Sequence, residues 1–69
     1  MIEEIKNKYE SKFMAINGVV GVGIGKTKDG VSCIKVYVKE KTTEIEKLIP
    51  NKVEGINVEI EEVGEISAL

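Results

Sequence analysis

Gly18-Val-Val-Gly-Val-Gly-Ile-Gly-Lys-Thr-Lys-Asp-Gly-Val-Ser-Cys-Ile-Lys-Val-Tyr-Val-Lys39 contains two runs with a period of two, separated by a turn signal. In the first run Val20, Val22 and Ile24 point one way and Gly21, Gly23 and Gly25 the other. Lys28, Asp29 and Gly30 follow, and Asp-Gly between two extended runs predicts a hairpin. The second run, Val31 to Lys39, sets Ile34, Val36 and Val38 against Cys33, Lys35, Tyr37 and Lys39. One strand therefore has a face of bare glycine, and its partner supplies the most apolar face in the chain.

Upstream, Ile2, Ile5, Tyr9, Phe13 and Ile16 are spaced as one face of a helix, predicted over residues 2 to 15. Asn17 and Gly18 tolerate the left-handed backbone that ends helices. Downstream, Thr43 and Glu46 fit a capping box at the start of a short helix whose buried side is Ile45, Leu48 and Ile49. Pro50 ends it. After a turn around Gly55, Ile56, Val58 and Ile60 alternate with Asn57, Glu59 and Glu61 as a third strand.

The expected fold is thus α+β, an αββαβ two-layer sandwich. Its three-stranded mixed sheet combines a hairpin with a right-handed βαβ crossover, which makes strands two and three parallel. Strand two is expected in the middle, with Lys35 and Lys39 on the same face as Glu59 and Glu61. Both helices then cover the face of Val20, Val36 and Val58, leaving the glycine and charged face open. One domain accounts for all 69 residues. A core of that size buries about 60% of the unfolded chain's surface and leaves a net stability of roughly 3 to 10 kcal/mol.

Composition narrows the function. The chain is 42% hydrophobic and 32% charged with a net charge of −2, as in an ordinary globular domain. Its lysines are interspersed with glutamates, so no basic stripe marks a nucleic-acid partner. The longest apolar run, Gly18 to Gly25, is far below the ~18 residues of a membrane span. The start Met1, Ile2, Glu3, Glu4 lacks the basic and apolar regions of a secretory signal, and the expected location is cytoplasmic.

The segment Gly21 to Thr27, G-V-G-I-G-K-T, superficially resembles a phosphate-binding loop. The spacing requires glycine at position 20, where Val20 stands, and a helix must follow where a hairpin is expected. Period-two glycines otherwise admit a close backbone or a strong twist. Cys33 is the only cysteine and the chain has no histidine, which removes Cys-His and Ser-His-Asp catalysis and most zinc sites. Glu59, Glu61, Glu62 and Glu65 form the one acidic cluster, but alternation splits it between faces. No catalytic, cofactor or metal residue is assigned and no cofactor is expected. Tyr37, an amphipathic side chain beside the glycine stripe, reads equally as a partner contact and as a half-exposed strand residue.

The runs Gly18-Val-Val-Gly-Val-Gly-Ile-Gly25 and Cys33-Ile-Lys-Val-Tyr-Val-Lys39, then Ile49-Pro50 and Gly55 to Gly64, resemble the segment that precedes the peptidase domain in bacterial trypsin-like peptidase proteins. The likeness covers residues 17 to 66 and includes no catalytic residue. This chain departs from that setting in ending where a peptidase would begin. The resemblance implies an accessory module that packs on or restrains a protease. The element order also resembles a ferredoxin-like βαββαβ domain, the layout of subtilisin propeptides, with its first strand missing.

The expectation is a non-enzymatic interaction module, self-associating or bound to a protein, with Gly21, Gly23, Cys33 and Tyr37 as contact residues. The alternatives are a small thiol-dependent enzyme using Cys33, and an anion or nucleotide binder at Gly23 to Thr27.

Overall fold

The computed structural model describes residues 1–64. Helix α1 (Ile2–Met14) leads into strand β1 (Val19–Lys26), β2 (Ser32–Val38), helix α2 (Thr43–Leu48), the two-residue β3 (Lys52–Val53) and β4 (Ile56–Glu62). The α+β class holds, but the sheet has four strands, in the order β1-β2-β4-β3. The added strand arises at Glu54 and Gly55, whose φ angles are +47° and +83°. Two successive left-handed residues make the tight turn whose twist matches flanking strands, so Lys52 and Val53 fold back antiparallel on Asn57 and Ile56.

β1 and β2 form the expected hairpin, and β2 and β4 run parallel with Lys35 opposite Glu59 and Tyr37 opposite Glu61. At the hairpin tip Gly30 N–H donates to Thr27 O (3.0 Å), and Gly30 has φ +81°. This is a tight turn closed by a left-handed glycine, the common three-residue hairpin. Thr27 Oγ1 accepts from Val31 N–H at 3.2 Å and fastens the other side.

Phe13 of α1 and Ile45 and Ile49 at α2 share one core with Ile34, Val36, Val38 and Val58, so both helices lie on the same face. Ile34, Val36 and Val38 are completely buried. One expected core position is corrected. Val19 and Val20 both stand against Val38, because the register shifts between Val19 and Gly21. This bulge gives the buried site to Val19 and leaves Val20 49% exposed.

The α2 cap is also corrected. Thr42, one residue before the expected Thr43, accepts from Ile45 N–H at 3.2 Å, so the third helical position is Ile45 and no capping box with Glu46 forms. Packing decides this: the four-residue step from Ile45 to Ile49 faces the core, which turns Leu48 outward to 61% exposure rather than inward.

Candidate functional site

The expected contact residues lie on the sheet face away from the helices, but that face is not bare. A Cβ on Gly21 would lie 3.7 Å from Tyr37 Cδ2, and one on Gly23 3.4 Å from Tyr37 Cε2. The Tyr37 ring therefore lies across both glycines, occupying the space their missing side chains leave. Lys35 does the same one step along, with its Cγ 2.8 Å from where a Gly25 Cβ would be. Any larger residue at position 25 displaces that stem. The glycine stripe is the seat for two β2 side chains leaning over β1.

Lys35 is then held from the far side. Its Nζ lies 2.9 Å from Glu59 Oε1 and 3.8 Å from Glu61 Oε1. The hydrogen bond to Glu59 raises the Lys35 ammonium above the usual lysine range, against the opposing cost of burial. The expected lysine–glutamate pairing thus resides in Lys35. Lys39 lies past the end of β2, where its N–H donates to Gly18 O at 2.9 Å.

Cys33 has no exposed surface. It sits between Gly25 on β1 and Asn57 on β4, and burial pushes its thiol up, with Glu59 adding to the effect. A thiolate nucleophile needs the opposite shift and access to substrate. As a contact residue Cys33 is therefore corrected: it presents nothing to a partner, and Gly21, Gly23 and the half-buried Tyr37 remain.

Residues Gly23 to Thr27 run as strand into a hairpin turn, with the Thr27 hydroxyl engaged by Val31. They do not form the loop before a helix that cradles phosphate. Glu59 and Glu61 converge on Lys35 and Glu62 accepts from Lys41 N–H at 2.8 Å, while Glu65 lies outside the described residues. Among the described residues no group of three acidic, cysteine or histidine side chains could hold a metal, and no helix is long and apolar enough to cross a membrane.

The feature the sequence reading placed correctly, and the geometry sharpens, is the edge. β1 ends the sheet. Thr27 N–H donates to Val31 O at 2.8 Å, so the alternating antiparallel ladder puts Gly25, Gly23 and Gly21 in the hydrogen-bonded pairs with β2. The N–H and C=O groups of Val22, Ile24 and Lys26 consequently point outward. Ile24 is 43% exposed, and no charge occurs from Val19 to Gly25. Local pattern does not mark Ile24 and Val22 as contacts, because the hydrogen-bond parity that exposes their backbone depends on where the hairpin closes.

Two shallow grooves flank Leu48. One, of about 320 Å³, runs between α1 and the end of α2, with Tyr9, Phe13 and Pro50 in its wall. The other, of about 370 Å³, lies beside Gly18 and Thr42. Lys39, Glu40 and Glu44 also line the second groove. Comparison of the chain with protein-family models, curated proteins and solved structures gave no match.

Proposed function

We propose that the chain is a non-enzymatic protein-interaction module that accepts an extended strand along the outer edge of β1. The observation that carries this reading is the edge itself: eight residues long, uncharged from Val19 to Gly25, without proline, and with the backbone groups of Val22, Ile24 and Lys26 unpaired by any described strand. Main-chain hydrogen bonds to such an edge supply affinity for a polypeptide with little demand on its sequence. Tyr37, lying over Gly21 and Gly23, provides an apolar flank on one face of the incoming strand, and Ile24 provides one on the other. The resemblance of residues 17 to 66 to a segment preceding peptidase domains supports a protein as the partner.

The test uses a synthetic strand with no relation to this chain, Lys-Thr-Val-Thr-Val-Thr-Lys, titrated to millimolar concentration while amide resonances are followed. The expected result is saturable shifts centred on Val22, Ile24 and Lys26. Flat spectra, or shifts centred on the grooves at Leu48, overturn the reading.

A further inference from the structure

The edge of β1 has one partner whose chemistry is fully specified, namely another β1. We propose that two copies of this chain pair antiparallel along β1 about a two-fold axis at Gly23, joining their sheets into one of eight strands. The proposal rests on the strand-accepting reading above and names its occupant.

Three observations favour a second copy. First, the outward backbone groups fall on Val22, Ile24 and Lys26, and antiparallel pairing about Gly23 sets Val22 opposite Ile24 of the other copy and Ile24 opposite its Val22. Both of these central pairs join two outward-facing residues, so the hydrogen-bond parity closes across the middle of the interface, while Lys26 falls opposite Val20 in the bulge. Second, like charges do not meet. The only charged residue of β1 is Lys26, and in this register the two copies of Lys26 stand six residues apart, about 20 Å at the rise of a strand, beyond the screening length at ordinary salt. Third, glycine occupies the axis. Gly23 meets Gly23 of the second copy in a non-hydrogen-bonded pair, the closest approach in an antiparallel ladder. Its missing side chain leaves room there for the Tyr37 ring of each copy, which already leans to within contact of Gly23.

The pairing also covers what the fold leaves open. Val22 and Ile24 lie on the helix-bearing face, and Ile24 is 43% exposed there. Opposite Val22 of the second copy, Ile24 gains an apolar cross-strand neighbour. The other edge offers no equivalent, because β3 is two residues long.

Sedimentation of the full chain up to millimolar concentration should show a reversible monomer–dimer equilibrium, with Val22 and Ile24 amides gaining exchange protection as the dimer fills. Ile24→Lys should abolish the dimer, with circular dichroism reporting a retained fold. For the register, Val22→Cys and Ile24→Cys chains, each in a Cys33→Ala background, should form a disulfide-linked dimer when mixed in air and little when kept separate. Their Cα atoms would be about 5.5 Å apart, within disulfide reach. A strictly monomeric wild type, or a dimer indifferent to Ile24→Lys, overturns the second copy as occupant, while binding of the unrelated strand would still uphold the strand-accepting reading. Ile24→Cys alone cross-linking as fast as the mixture would move the axis off Gly23 and overturn the register. If Ile24→Lys fails to fold, wild-type exchange protection and the mixed-cysteine result decide between these outcomes.

Discussion

Strand β3 borders the sheet for only two residues, carries Lys52, follows Pro50 by one residue and turns back at once through Glu54 and Gly55, whereas β1 borders it for eight residues that stay uncharged until Lys26. Shortness, charge and proline are the devices by which sheets prevent edge-to-edge pairing. β3 has all three at hand. β1 has a bulge at its start, and a bulge twists only the end where it sits. The two edges are therefore not equivalent leftovers of one sheet: one is closed by its local chemistry and the other is left able to pair.

β1 hangs on β2 and β3 on β4, and because β2 and β4 pair with each other, the largest effect on both edges comes from disrupting β2. Val36 is fully buried in β2. Val36→Asp places an unpaired charge there at a cost of several kcal/mol, comparable with the whole margin of roughly 3 to 10 kcal/mol. The cooperative thermal transition should disappear, and both edges with it. A melt at the wild-type temperature would mean the two faces of β2 are assigned the wrong way round.

A smaller change loosens the open edge selectively. Tyr37→Ala uncovers Gly21 and Gly23 and should cost about 1 kcal/mol, the worth of a half-buried aromatic and its cross-strand contact. In urea titrations the midpoint should fall. Native-state exchange should quicken at Gly21 and Gly23 while Val53 and Ile56, at the β3 edge, keep their wild-type rates. Uniform acceleration at both edges would erase the distinction between them.

The smallest effect sharpens the closed edge. Lys8 Nζ on α1 lies 3.0 Å from Glu54 Oε2 and tethers the helix to the β3–β4 turn. That hydrogen bond holds the Glu54 carboxyl below the ordinary carboxylate range and the Lys8 ammonium above the usual lysine range. Because the folded value for Glu54 is depressed, its contribution is present above the unfolded value and fades as pH falls through the folded one. Lys8, whose folded value is raised, contributes below its unfolded value and loses that contribution as pH rises through the folded one. The pair is exposed, so the effect is slight. The stability difference between wild type and Glu54→Gln, followed by denaturant titration, should be greatest near neutrality and shrink toward acid. A difference that grows on acidification would contradict the tether.

Much of this architecture was legible in local pattern. The helical spacing from Ile2 to Ile16, the Asp29-Gly30 turn and the alternation of Ile34, Val36 and Val38 each express a period that one segment carries alone. The parallel pairing of β2 with β4 was legible too, since a crossover helix between two strands of one sheet leaves few other arrangements. β3 was not, because Glu54 is an unusual residue for a left-handed turn position and two residues carry no period. Of the candidate site, the edge position of β1 and the place of Tyr37 beside the glycines were readable from strand order and alternation.

Sequence alone therefore determined the α+β class, the hairpin, the faces of β2 and the lack of charge along β1, all properties of neighbours in the chain. Only the tertiary structure decided that Val19 rather than Val20 is buried, that Leu48 faces out, that Cys33 has no surface, and that the glycine stripe is filled by Tyr37 and Lys35. Each of those outcomes depends on which side chain from a distant segment reaches a given space first. The register between strands sets that, and the bulge at Val20 shifts it by one residue.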